Sequence, residues 1–420
     1  MKVPPLARRN PLSRVAEAEV EALELSKHKE GATRLVVPTV SITTVPPPTS
    51  PVFFNPAASL NRDVTVAVSA AAGGETFCDA MAGVGARGVR VANEVEGVSQ
   101  VSMVDFNAGA LRLAKRSAAL NRVAGKCSYV GAETSSYLYS RFGRDQRFDY
   151  VDLDPFGTPI RQLQAALTAT ADGGILSLTA TDTAVLCGVH QATCARRYGS
   201  SPLNNSFHHE TGIRILLAAL ARSGASIDIG VAPVAAHSTR HYLRVYVRVL
   251  PGASKAESSL GGLGYLSWCP ACGEVRESGS QAEACRACGR RAKVAGPVWV
   301  GGVADEALVA AAKKEALSRG LAQAAEVLGS LLGTNEFPPW SFDIDGVCSE
   351  LKISTVSELA VYRNLLGGGH RVVRTPFEKT GMKTDAGHAE VAEAVKAASE
   401  EGASRGVRAS GPRSSSRARS

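Results

Sequence analysis

The sequence predicts an α/β protein: a parallel, doubly wound sheet followed by a smaller α+β domain that carries a zinc site. Three observations lead there. From Glu75 onward, short apolar runs alternate with helix-like segments, and a βαβα succession closes into a parallel sheet with helices on its faces. Acids stand at the ends of several of those runs, at Asp79, Asp105 and Asp154, the edge where open α/β sheets hold their ligands. Two Cys-x-x-Cys-Gly knuckles, at Cys269 to Cys272 and Cys285 to Cys288, then mark a separate module.

The elements follow in order. Residues 12–30 are rich in charge and predict a helix, and the Pro-rich stretch from Val45 to Pro51 predicts an irregular lead-in. Glu75 to Asp79 predicts the first strand, with a glycine-bearing loop and a helix from about Arg87. Val101 to Asp105 predicts the second strand and Asn107 to Asn121 a helix. Strands are expected near Ser128 to Val130, from Phe148 to Leu153 and from Gly174 to Thr179, with helices between. Thr211 to Ser223 predicts a long helix, and Ser226 to Val234 and His241 to Leu250 predict two closing strands. The Pro251-Gly252 break and the Ser/Gly-rich stretch 252–264 predict a boundary. The expected division is therefore a domain over 1–250, a second over 264–385, and a disordered basic tail over 396–420.

Composition narrows the function. At 420 residues with 45% hydrophobic content, the chain can bury two cores. A formal charge of +8 suits a polyanionic partner such as nucleic acid. No apolar run reaches the ~20 residues that span a bilayer, and Met1 to Asn10 lacks the apolar centre of a signal peptide, so a cytoplasmic, membrane-free protein is expected. Five of the nine cysteines are scattered singly, as reduced thiols are. Nothing points to an obligate protein partner.

Asp154-Pro155-Phe156-Gly157 closes the buried run Phe148 to Leu153. An exocyclic amino group on a nucleobase is a poor nucleophile because its lone pair is delocalised into the ring. The Asp154 carboxylate and the Pro155 carbonyl could accept its two N–H bonds, and Phe156 could stack on the base. Read alone, the string also fits an ordinary turn. Its context is a nucleoside site: Asp79 precedes Gly83 and Gly85 at a helix start, where backbone can approach a ligand closely, and Asp105 stands where an acid binds a ribose diol. That spacing fits S-adenosylmethionine better than NAD, since no pyrophosphate cradle is present. Glu133, at the third strand end, is placed to meet an adenine amino group, or else to cap a helix. The four cysteines Cys269, Cys272, Cys285 and Cys288 can close a tetrahedral zinc site with no open position, hence a structural one.

With these residues in view, the chain resembles the tRNA guanine-26 N2-dimethyltransferases of archaea and eukaryotes. The resemblance rests on Val52-Phe53-Phe54-Asn55-Pro56 with Asn61-Arg62-Asp63, on Gly85-Ala86-Arg87, and on Asp152 to Gly157. Thr179 to Gly188, Arg197-Tyr198-Gly199, His209-Glu210 with Arg214 to Leu217, and Gly381-Met382-Lys383-Thr384-Asp385 extend it over roughly residues 30 to 388. It implies a class I methyltransferase-like fold, S-adenosylmethionine as cofactor and tRNA as partner. It further implies cofactor contacts at Arg62, Arg87, Asp105, Glu133 and Thr134, with Asp154 catalytic and Phe53 and Phe156 flanking the base. The expected reaction is transfer of one or two methyl groups to guanine N2 at position 26. The rival readings are an amino-methyltransferase for adenine N6 of DNA or rRNA, and a non-catalytic zinc-containing tRNA-binding protein. One departure stands out: Val373-Arg374-Thr375-Pro376 replaces the family's Ser-Arg-Thr-His, which weakens any chemical role for that segment.

Overall fold

The computed structural model describes residues 22–49, 51–279 and 284–409. It opens with an antiparallel hairpin, β1 (Leu25–Glu30) and β2 (Thr33–Pro38), turned at Gly31 with φ 57°. A helix was expected over 12–30; 25–30 is strand, and 12–21 lie outside the described residues. Charge misled that expectation. Glu30 is buried because Arg62 and Arg90 converge on it, so an acid that reads as a solvated helix face is an inward strand residue. Burial pushes its carboxyl up, but the two guanidiniums outweigh burial and bring it down to about 2.

The central sheet has seven strands in the order β5-β4-β3-β6-β7-β9-β8. They are β3 (Thr76–Asp79), β4 (Gln100–Asp105), β5 (Cys127–Gly131), β6 (Phe148–Leu153), β7 (Thr170–Ala180), β8 (Ile229–Thr239) and β9 (Tyr242–Pro251). The first five run parallel, as expected. The closing pair does not: β9 lies antiparallel to β7 and β8 antiparallel to β9. Only Arg240 and His241 separate β8 from β9, too few residues for the crossover a parallel pair requires, so the strands fold back as a hairpin. The sheet is α/β and doubly wound, but mixed.

Helices cover both faces: α1 (Ser59–Ala72), α2 (Ala86–Glu94), α3 (Ala108–Leu120), α4 (Thr134–Phe142), α5 (Leu163–Ala169) and α6 (His208–Ala225). Asn107 starts α3 by accepting from the Ala110 amide at 3.1 Å. The Ser/Gly-rich stretch folds as α7 (Ala253–Gly261), packed on β8 and α6. Its Ser259 hydroxyl exchanges hydrogen bonds with the Val231 backbone at 2.7 and 2.8 Å.

Beyond α7 lies the sheet β11-β10-β12, made of β10 (Leu263–Trp268), β11 (Val275–Ser278) and β12 (Lys293–Trp299). Helices α8 (Glu306–Ser318) and α9 (Ala322–Gly329) return to pack on α1, so one apolar cluster runs from Leu35 to Leu331 and includes Phe377. A second cluster gathers Phe342, Ile344, Val361, Met382 and Val395. Its small sheet orders as β13 (Phe342–Asp343), β15 (Gly381–Thr384) and β14 (Val372–Arg374). The last described helix, α10 (His388–Ala409), corrects the expectation of disorder from residue 396. Val391, Ala394, Val395 and Ala398 are buried at helical spacing, a narrow stripe hidden in an otherwise charged and small-residue composition. Residues 410–420 lie outside the described residues.

A buried ion network ties sequence strings together. Glu210 on α6 accepts from Arg214 at 2.8 Å and from Lys383 on β15 at 2.7 Å. Lys383 also donates to the carbonyls of Pro338 and Trp340, at 2.8 and 2.9 Å. Burial lowers the Lys383 ammonium to about 8, with Glu210 opposing that fall. The His209-Glu210 and Gly381 to Asp385 strings thus meet in the interior.

Candidate active site

The carboxyl edge of the parallel strands opens into a cavity of about 470 Å³, within the range of small-molecule and cofactor sites. Of the residues singled out from sequence, Phe53, Arg62, Asp79, Gly83, Arg87, Asp105, Thr134, Asp154, Pro155 and Phe156 line it. Gly85 and Glu133 do not. Glu133 caps α4, its two carboxylate oxygens accepting from the Ser135 and Ser136 amides at 3.0 and 2.8 Å. Gly85 has φ 72°, and a Cβ there would stand 2.5 Å from the Ala114 Cβ and 2.8 Å from the Met103 sulfur. Its freedom serves the approach of α2 to β4 and α3. Gly85→Ala is expected to cost roughly 2–4 kcal/mol, from left-handed strain and overpacking together, in equilibrium urea unfolding; an unchanged midpoint would refute this role.

Asp105 holds the loop after β3. Its carboxylate oxygens accept from the Gly83 and Asn107 amides at 2.8 Å each, and burial pushes its carboxyl up against those bonds. Asp79 is deeper, accepting from the Gly88 amide at 2.9 Å. Burial raises its carboxyl to about 7, aided by the neighbouring Asp152 and opposed by Arg87. Phe106 follows Asp105, lines the cavity and is 87% exposed.

On the far side of the cavity, the turn after β6 carries Asp154. Gly157, at φ 82°, donates its amide to the Thr181 hydroxyl at 2.7 Å, and the Thr181 amide donates to the Gly157 carbonyl at 2.9 Å. Thr158 donates to the Tyr198 hydroxyl, which donates to Asp182, at 2.8 and 2.7 Å. The Thr179 to Gly188 and Arg197-Tyr198-Gly199 strings therefore brace the turn.

Asp154 is paired with Arg87 while its side chain stays 32% exposed to the cavity. Burial pushes its carboxyl up, yet Arg87 and then Arg244 hold it below the usual carboxylate range. The ionised form is the resident one at neutral pH. Arg87 is fully engaged: Nε meets Asp152 at 3.0 Å, and Nη1 donates to Asn61 and Thr65 at 2.8 and 2.7 Å. Arg62 is likewise gripped by Glu30 through two bonds of 2.6 Å. Both arginines line the cavity with most of their donors spent on the protein.

Phe53 and Phe156 touch edge to face, with ring centroids 4.9 Å apart, and Phe156 is 71% exposed. This is an aromatic rim rather than an open slot. Sequence reasoning missed Asn61, Phe106, Asn107 and Tyr242 as lining residues. Phe106 and Asn107 were legible as the residues just past a strand-end acid. Tyr242 was not, because it depends on the hairpin placing β9 beside β7.

The four cysteines come together away from this cavity. Each knuckle ends in a left-handed glycine, Gly273 at φ 74° and Gly289 at φ 71°, whose amide returns to the first cysteine carbonyl at 2.9 and 2.8 Å. The Cys269 and Cys288 sulfurs are 3.5 Å apart and those of Cys272 and Cys285 3.6 Å. A tetrahedral ion about 2.3 Å from each sulfur sets their spacing near 3.8 Å, so the donor set fits zinc.

Known proteins share this architecture. A family model described as N2,N2-dimethylguanosine tRNA methyltransferase matches residues 31–396. A tRNA (guanine(26)-N(2))-dimethyltransferase of Methanothermobacter thermautotrophicus is 36% identical over 357 residues, covering 82% of this chain and 93% of that protein. One from Methanosarcina acetivorans is 35% identical over 389 residues, covering 88% and 98%. Among solved structures, Trm1 from Pyrococcus horikoshii in complex with S-adenosyl-L-methionine superposes with a TM-score of 0.76 at 30% identity, covering 88% of this chain and 99% of that one. With the site above, these matches show that the chain belongs to the N2,N2-dimethylguanosine tRNA methyltransferase family.

Proposed function

We propose that the chain methylates the exocyclic N2 of guanine 26 in tRNA, using S-adenosylmethionine, with Asp154 as the group that holds the reacting nitrogen. The observation that carries this reading is Asp154 itself: an ionised carboxylate fixed by Arg87, partly open to the cavity, beside the Pro155 carbonyl and an aromatic rim. S-adenosylmethionine supplies an electrophilic methyl group when bound. Asp79, Gly83, Asp105 and Thr134 line the part of the cavity proposed to hold it, and Arg62 and Arg87 line the cavity as well.

Asp154 and the Pro155 carbonyl accept the two N–H bonds of guanine N2, so the lone pair faces the methyl donor. As the N–C bond forms and the methyl's bond to the sulfonium sulfur breaks, leaving its electron pair on sulfur, positive charge grows on the nitrogen and the carboxylate stabilises it. The proton then passes to solvent, because a protonated arylamine is strongly acidic. A raised carboxyl is not required, in keeping with the lowered one observed. For the second transfer the first methyl must rotate away and the remaining N–H take its place. A base in the tRNA core must leave its stack, at a cost of a few kcal/mol. Stacking on Phe53 and Phe156, worth ~1–3 kcal/mol per base, offsets part of it.

The zinc ion proposed at Cys269, Cys272, Cys285 and Cys288 is structural, because four thiolates leave no position for substrate. It would hold a knuckle module in the 264–385 segment, which we assign to tRNA contact. Among the described residues, no helix is long and apolar enough to cross a membrane, and the cytoplasm is the proposed compartment.

The reading is tested by mass spectrometry of nucleosides from unmodified tRNA incubated with protein and cofactor. N2,N2-dimethylguanosine mapped to position 26 is expected. Methylated adenosine in its place, or no methylated guanosine, would overturn it.

A further inference from the structure

We propose that Cys187, His208 and His209 form a second metal site, for a divalent ion of the zinc class, separate from the four-cysteine module. The Cys187 sulfur and one ring nitrogen of each histidine lie within 4.8 Å of one another. Cys187 is 6% exposed, and the two histidine rings stand side by side with centroids 4.1 Å apart. None of the three lines the cavity or forms part of the four-cysteine cluster.

The hydrogen bonds around the rings point to a ligand role. His208 Nδ1 lies 2.5 Å from the Asn205 carbonyl, and His209 Nδ1 lies 2.5 Å from a Glu378 carboxylate oxygen. A carbonyl and an ionised carboxylate only accept, so both Nδ1 atoms carry the proton. With Nδ1 so occupied, Nε2 is the nitrogen left on each ring to ligate, and the carbonyl and carboxylate partners behind the rings are those that histidine ligands generally have.

Charge supplies a second argument. The Glu378 side chain is 7% exposed, and its contacts are the His209 ring and, at 3.1 Å, the His209 amide. Among the described residues no Lys or Arg pairs with it. A buried carboxylate without a cation is costly. A divalent ion bound by the Cys187 thiolate, with Glu378 behind His209, brings the local sum to zero. Bond lengths of about 2.0–2.3 Å would draw the three ligands roughly 1 Å closer than their present spread, a side-chain adjustment.

The location gives the site a purpose. Cys187 lies next to the end of the Thr179 to Gly188 segment, which places Thr179 and Thr181 on the cavity and braces the Asp154 turn. His208 and His209 start α6, and Glu378 belongs to the segment before β15. The ion would clamp the cavity loop to α6 and, through Glu378, to the C-terminal part of the chain. Three protein ligands leave a fourth position for water.

The experiment is metal counting on the full chain, loaded with zinc alone, gel-filtered and measured by plasma mass spectrometry. His208→Ala and Cys187→Ala are each expected to hold one equivalent less than the unmodified protein. A Cys285→Ser/Cys288→Ser variant, lacking the knuckle site, is expected to keep one equivalent. Cobalt loaded into that variant should give a thiolate charge-transfer band that Cys187→Ala abolishes. Equal metal content with and without His208, or no such band, would overturn the proposal.

Discussion

Asp154→Asn is expected to lower guanine N2 methylation by roughly 10²–10³-fold, the loss seen when one preorganised group facing a developing charge is removed. The amide keeps the shape of the carboxylate and one accepting oxygen, so it can still orient one N–H bond. It cannot offer a negative charge as the amino nitrogen becomes positive. Folding is expected to survive, because Asp154 is partly exposed and Arg87 retains Asp152, Asn61 and Thr65. Cofactor affinity is expected to stay within a few-fold, since Asp105, Gly83 and Thr134 are untouched. The check combines single-turnover methylation of tRNA with a calorimetric titration of S-adenosylmethionine. A variant with normal turnover sinks the role given to Asp154. A variant that no longer binds cofactor would show that Asp154 serves the other half of the cavity.

That cavity was legible in the sequence wherever a local rule fixed position. Asp79 and Asp105 end strands and Asp154 directly follows one, and a parallel sheet sends all such ends to one edge. The knuckles were legible because two left-handed glycines and four thiolates are a local geometry. What escaped were features that depend on long-range partners. Glu30 joins a buried strand only because Arg62 and Arg90 arrive from two helices. Glu133 lies where an adenine contact was expected, but its oxygens are spent on its own helix. Arg87 reads as a cofactor residue from its motif, while its donors are turned inward to Asp152 and Asp154. Arg244 drew no notice at all. It sits in a strand whose place between β7 and β8 follows from the hairpin, and that pairing brings it to Asp152.

Asp152 is therefore where stability and catalysis are expected to fail together. Its side chain is wholly buried between Arg87 and Arg244, with the Ser177 hydroxyl donating to it at 2.6 Å. Arg244 is equally buried and donates to Thr179 at 2.7 Å. Asp152→Asn leaves two interior guanidiniums facing Asp154 and the burial-raised Asp79, a surplus of positive charge around a wholly buried Arg244. Removing one partner of such a buried set costs about 3–5 kcal/mol. Arg87 is also freed to take a new position, and Asp154 with it, so methylation should fall alongside stability. Arg244→Met, which leaves the surplus charge negative, is expected to cost a similar amount. The double variant separates charge from packing. With both removed, Arg87 and Asp154 remain a matched pair, and the combined loss should be smaller than the sum of the single losses by well over 1 kcal/mol. Equilibrium unfolding in guanidinium chloride measures all three. Strict additivity would mean that Asp152 and Arg244 act independently, and that the ion network beneath Asp154 is packing rather than electrostatic support.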